Sequence, residues 1–126
     1  MQLSHERPDY AWVLRGADGQ RARVNDLILE RSFILTPDRL LEDWPAPATA
    51  AALESAHMAP LLAMSPELVI LGTGSRQVFP SPAVLPACLT RGIGIEVMNN
   101  AAAARTYNVL AGEGRRVVVA LLLAAP

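Results

Sequence analysis

The stretch IGIEVMNNAAAARTYNVLAGEGRRVVVALLL (Ile93–Leu123) decides the fold. Ile93–Met98 is a short apolar run rich in β-branched residues, which predicts a strand. Asn99 or Asn100 then supplies cap chemistry for a helix running through Leu110. Ala103, Tyr107 and Leu110 form that helix's apolar stripe, and Gly112 and Gly114 supply its exit. Val117–Leu123 has no polar face. A strand that is apolar on both sides predicts a central place in a sheet covered above and below.

Working upstream, Ser81-Pro82 opens a second helix, with Leu85, Cys88 and Leu89 on one face and Arg91-Gly92 at its stop. Pro86 removes a hydrogen bond one turn in, so the regular helix is expected nearer Pro86. Before it, Glu67–Leu71 reads as a buried strand that ends at Gly72-Thr73-Gly74. Strand, helix, strand, helix, strand with short connections is a right-handed crossover pattern on a largely parallel sheet.

The first half adds β-structure and one helix. Residues 1 to 10 are polar and predicted to fray. Ala11–Arg15 and Arg21–Val24 flank the turn signal Ala17-Asp18-Gly19-Gln20, which predicts a hairpin. Asp26–Leu35 predicts a strand pair or one bent strand, broken near Arg31-Ser32. Thr36-Pro37-Asp38 either caps a short helix or leaves into an irregular loop. Ala50–Met58 predicts a short helix, with Leu53, Ala56 and His57 on one face and Pro60 at or just past its end. Residues 11–126 are expected to form a single α/β domain in layers.

Bulk numbers exclude several functions. The 126 residues carry a net charge of −1, which argues against an electrostatic grip on nucleic acid. All eleven basic residues are arginine, which removes a lysine nucleophile, a Schiff base and a phosphate-loop lysine. Cys88 is the single cysteine, so no internal disulfide forms, and the chain reads as cytoplasmic. The longest apolar stretch falls far short of the roughly 20 residues of a spanning helix.

The glycine loop invites a nucleotide reading that fails. Gln77 stands where a dinucleotide fingerprint needs its third glycine, and Phe79-Pro80 delays the helix. Two readings stay open: a sharp turn needing glycine, or a backbone anion nest aided by Arg76. His5, His57 and Cys88 lack metal-ligand spacing, so no metal and no cofactor is expected. Ser75 is not in a nucleophile elbow, and no catalytic residue is assigned. The densest polar cluster is Glu96, Asn99 and Asn100, then Arg105, Thr106, Tyr107 and Asn108, then Glu113, Arg115 and Arg116. A carboxylate inside a buried strand wants a partner, and Arg105 or Arg115 could supply it. Two roles fit this cluster. One is a structural ion-pair and cap network; the other is a polar pocket between Gly72–Arg76 and Glu96–Asn100 that takes a small molecule or anion, with or without catalysis.

Glu67–Gly74 (ELVILGTG) and Gly92–Leu122 together resemble a known family, over about a third of the chain. It groups bacterial and archaeal proteins of unknown function with mitochondrial respiratory complex I assembly factor 3. The resemblance implies a three-layer α/β domain with a mixed, mostly parallel central sheet. Helices would cover one face and a β-hairpin-plus-helix layer the other. It implies a non-enzymatic protein that acts through protein contacts in assembling a respiratory or other membrane complex, peripherally at the inner membrane through its partner. What carries over is a recurring polar set: Gly72, Thr73, Gly74, Glu96, Met98, Arg105, Thr106, Tyr107, Asn108, Glu113, Gly114 and Arg115. Asn99-Asn100 departs from the acidic or small residue and threonine usual in relatives; its cap role survives, but a charge-dependent role there does not.

Overall fold

A computed structural model describes residues 9–124. Of residues 1 to 10, expected to fray, 1 to 8 lie outside the described residues, whereas Tyr10 packs against the core beside Tyr107. The fold is α/β, built on a five-stranded mixed sheet of order β5-β4-β8-β6-β7. Here β4 is Phe33–Leu35, β5 Leu40–Leu41, β6 Leu68–Gly72, β7 Gly94–Met98 and β8 Val117–Leu121. Strand β6 runs parallel to both β7 and β8, whereas β8 pairs antiparallel with β4. A smaller antiparallel sheet joins β1 (Leu14–Ala17), β2 (Ala22–Val24) and β3 (Leu27–Leu29). The helices are α1 (Ser55–Leu62), α2 (Val84–Leu89) and α3 (Asn100–Gly112). None is long and apolar enough to cross a membrane.

The period-2 rule of strands builds two cores, one on each face. On β8, Val117, Val119 and Leu121 face one way, toward α3 and the small sheet. Val118, Ala120 and, just past the strand, Leu122 face the other, toward α1 and α2. Phe33 and Leu35 join the first core, and Ile34 the second. This explains why Val117–Leu123 lacks a polar face: it is the middle strand of a three-layer stack.

One local reading left open is decided and two are corrected. Thr36 caps no helix; its Oγ1 accepts from the N–H groups of Asp38 and Arg39 and turns β4 into β5. The alanine-rich stretch is a 3₁₀ turn at Ala50–Ala52, followed by α1, and Pro60 lies inside α1 rather than at its end. The carbonyl deprived of its donor belongs to exposed Ala56, where water can satisfy it. In α2 the buried pair is Val84 and Cys88, while Leu85 and Leu89 are exposed. Pro86 sits in the first turn of α2, whose N–H groups have no intrahelical acceptor anyway, so the helix begins before it.

Candidate functional site

The glycine loop leaves the carboxyl end of β6, between β7 and β8. Gly72 must lack a side chain, because a Cβ there would collide with Asn100 Oδ1 and a Leu121 methyl group. Gly74 has φ +102°, a region that side chains disfavour. Thr73 shapes the rest of the loop. Its Oγ1 donates to the Arg76 carbonyl at 2.7 Å and accepts from Val78 N at 3.1 Å. Gln77 then reaches back, its Nε2 donating to the Val97 carbonyl at 2.9 Å. Beyond the loop tip, Ser81 N donates to the Ala50 carbonyl at 3.0 Å. Between these pins, Phe79 stands 94% exposed with Val78 beside it.

Asn100 is the centre of this arrangement, and it is fully buried. Its Oδ1 accepts from Gly74 N at 3.0 Å. Its Nδ2 donates to the carbonyls of Asp18 and Leu122, at 2.8 and 3.0 Å. One amide thus ties the glycine loop, the β1–β2 turn and the end of β8 together. The cap of α3 is Asn99, whose Oδ1 accepts from Ala102 N at 2.8 Å.

Farther along α3, Tyr107 and Asn108 fasten the small sheet. Tyr107 Oη donates to the Trp12 carbonyl at 2.7 Å. Asn108 both accepts from Leu14 N and donates to the Leu14 carbonyl, as a neighbouring strand would. Burial pushes the Tyr107 phenol well above its usual range. The Tyr10 ring meets Tyr107 edge-on at 6.1 Å.

The rest of the expected cluster does not converge. From sequence, Glu96 reads as a buried carboxylate in need of an arginine. It is exposed, because β7 is an edge strand, and among the described residues neither Arg105 nor Arg115 pairs with it. Arg105 and Glu113 are exposed on and after α3. Arg115 instead approaches Glu67 at 3.9 Å. The Arg116 backbone N–H, bonded to Glu67 Oε1, lowers that carboxylate's pKa, with help from the Arg115 and Arg116 charges. These residues sit at the opposite end of β6 and β8 from the glycine loop, roughly 15 Å away at the rise of a strand. Met98 does adjoin the loop, through Thr73 N donating to its carbonyl at 3.0 Å. Arg76 is exposed, held by its backbone rather than its guanidinium.

The pocket expected between Gly72–Arg76 and Glu96–Asn100 is displaced as well. The groove beside the loop, about 430 Å³, has Asp18, Gly19 and Gln20 as its far wall, with Thr73, Gly74 and Ser75 on the near side. Asp18 stays ionised there: the N–H groups of Gln20 and Arg21 lower its pKa. A carboxylate on the wall disfavours an anion. A second groove of about 440 Å³ lies at the other end, lined by Tyr10, Arg39, Arg115 and Arg116 among others. Among the described residues no three His, Cys, Asp or Glu side chains gather as a metal would need. His57 spends its Nδ1 accepting from Glu54 N.

Sequence reasoning misses Gln77 and Phe79, treating them as the residues that spoil a nucleotide loop. A signal is present: Val78-Phe79-Pro80 is apolar, yet prolines at 80 and 82 prevent it from joining a helix or sheet.

Comparison with known proteins matches this architecture to described relatives. A family model described as a protein of unknown function (DUF498/DUF598) matches residues 14–122. A Xanthomonas campestris protein solved by NMR superposes with a TM-score of 0.82 at 58% identity, covering 98% of this chain and 92% of that one. NADH dehydrogenase (ubiquinone) 1 alpha subcomplex assembly factor 3 of Bos taurus is 43% identical over 56 residues, 44% of this chain but only 30% of its own length. The 13 kDa major membrane protein of Francisella tularensis subsp. holarctica (strain LVS) is 29% identical over 85 residues, 68% of this chain and 69% of that protein.

Proposed function

Since this chain belongs to the DUF498/DUF598 family of proteins of unknown function, with a complex I assembly factor among its relatives, we propose that it is a non-enzymatic assembly protein. It acts by binding a protein subunit of a respiratory or other membrane complex, which gives it a peripheral place at the inner membrane. The observation that carries this reading is Phe79: a large aromatic side chain held 94% exposed on a loop pinned before it by Gln77 and after it by Ser81 N–H on the Ala50 carbonyl. An exposed aromatic is costly in water, and aromatic residues, Phe included, are enriched at the cores of protein interfaces. The loop is already ordered, so little conformational entropy is lost on docking.

In this reading the polar set has a positioning role. Gly72, Thr73, Gly74 and Asn100 hold the loop root, Met98 and Gln77 fix its flank to β7, and Tyr107 and Asn108 stiffen the helix behind Asn100. Glu96 and Arg105, both exposed, offer polar contacts at the rim. Affinity capture of the tagged chain at native expression tests this. The expected result is enrichment of membrane-complex subunits with the native chain and their loss with Phe79→Ser, whose melting temperature stays native because the side chain is exposed. Equal recovery of those subunits by both proteins, or by neither, would contradict it.

A second reading rests on the 430 Å³ groove between Asp18–Gln20 and Thr73–Ser75, at the strand carboxyl ends where α/β sheets place ligands. It calls for a small neutral or cationic molecule. A metabolite screen that raises the melting temperature of the native chain but not of Gly19→Val supports it; a screen with no shift excludes it.

A further inference from the structure

The outer edge of β7 is self-complementary in its hydrogen bonds, and we infer that two copies of this chain pair there, antiparallel about Ile95. The parity of the strand decides which groups are free. Gly94 N donates to the Glu67 carbonyl at 3.2 Å, and the Met98 carbonyl accepts from Thr73 N at 3.0 Å. Gly94, Glu96 and Met98 therefore point their backbone groups inward, to β6. Ile93, Ile95 and Val97 point theirs outward.

Two of the six outward groups are already used. Ile93 N donates to the Cys88 carbonyl at 3.1 Å. The Val97 carbonyl accepts from Gln77 Nε2 at 2.9 Å. Four are left: the Ile93 carbonyl, both groups of Ile95, and Val97 N–H. Among the described residues no hydrogen bond reaches them.

Place a second copy antiparallel, with a two-fold axis at Ile95. The two Ile95 residues then exchange both of their bonds. Each Val97 N–H meets the Ile93 carbonyl of the other copy. The only pair left facing is Ile93 N–H against the Val97 carbonyl, and those are the two groups each chain has already satisfied internally. Every open group is filled and no filled group is needed. A shift of the axis to Glu96 fails twice. It aims Ile95 N–H at the occupied Val97 carbonyl, and it sets Glu96 directly opposite its own copy, where like charges repel. About Ile95, Glu96 lies instead opposite Gly94, whose missing side chain leaves room. Helix α2, packed on β7, carries the exposed Leu85 and Leu89. A foreign strand has no reason to match this pattern of used and unused groups, whereas the chain's own edge matches it by symmetry.

Sedimentation equilibrium over a concentration series up to millimolar tests the pairing. The native chain is expected to follow a monomer–dimer equilibrium. Ile95→Pro removes an outward N–H without touching the ladder to β6, and should stay monomeric. The register has its own test, which remains informative if Ile95→Pro fails to fold. Gly94→Lys places a cation opposite Glu96 of the other copy and should tighten the dimer roughly fivefold, while Gly94→Glu should weaken it by a similar factor. Within the chain itself the new Cβ meets the end of the flexible Leu68 side chain at 3.2 Å and, at an ordinary contact distance of 3.6 Å, the Glu67 carbonyl. A native chain that is monomeric throughout, a folded Ile95→Pro that still dimerises, or indifference to the charge at Gly94 would overturn the inference.

Discussion

Asn100 shows how one side chain can hold a loop, a turn and a strand end in register. The side chain is fully buried and makes three hydrogen bonds, so Asn100→Ala loses all three and leaves the buried Leu122 carbonyl without this donor, while the part-buried Gly74 N–H and Asp18 carbonyl lose their protein partner. The expected cost is about 3 kcal/mol of unfolding free energy, measured by urea titration with an unchanged slope. The sequence marks Asn100 as cap chemistry at a helix start and as one edge of a candidate pocket; the neighbouring Asn99 fills the cap role. The clamp is invisible there because the partners Asp18 and Leu122 lie 82 and 22 residues away. The glycine that accommodates it, Gly72, is legible as a glycine position but not as Asn100's counterpart. Asp18 adds a pH dependence. Its folded-state pKa is lowered, chiefly by the N–H groups of Gln20 and Arg21, so its contribution is present above the unfolded value near 4 and lost as pH falls through the folded value. Glu67 acts in the same direction. Stability should therefore fall on acidification below about pH 4, and Asp18→Asn should flatten that acid limb in denaturation curves.

At the scale of elements, the apolar run of β8 is readable as a central strand, because only a strand covered on both faces can dispense with polar residues. The edge position of β7 is also written in the sequence, in Glu96, but a lone carboxylate in an apolar run reads equally as a buried ion pair. Only the strand order separates the two: β6 has a neighbour on each side and β7 does not. Helix α3 joins the layers. Tyr107 and Asn108 bond to the backbone at Trp12 and Leu14, so the helix acts as an extra partner to the small sheet. Tyr107→Phe keeps the packing and removes one bond. It should cost about 1 kcal/mol and speed amide exchange in β1 more than in β8. Equal acceleration in both strands would mean that the phenol supports the whole fold rather than this junction. The failed expectation around Pro60 and the choice left open at Thr36 share a cause: short segments punctuated by proline carry weak local preferences, and tertiary contacts choose among them.

For the whole molecule, the layer order arises from two cores on one sheet, and the family match extends it to relatives. The candidate site is less legible than the fold. The residues gathered by proximity in sequence split into a group at the glycine loop and a group at the far end of β6 and β8, because parallel strands carry consecutive polar turns to opposite ends of a sheet. The three-dimensional arrangement adds Phe79, displayed by the residues that the sequence presents as the site itself. In the proposed function this display serves the assembly of a membrane complex. The most direct test is the amount of assembled respiratory NADH dehydrogenase, measured on native gels of membranes from a strain lacking this gene. A deficit is predicted, restored by the native gene and not by the Phe79→Ser gene at equal protein level. Full assembly without the gene would contradict it.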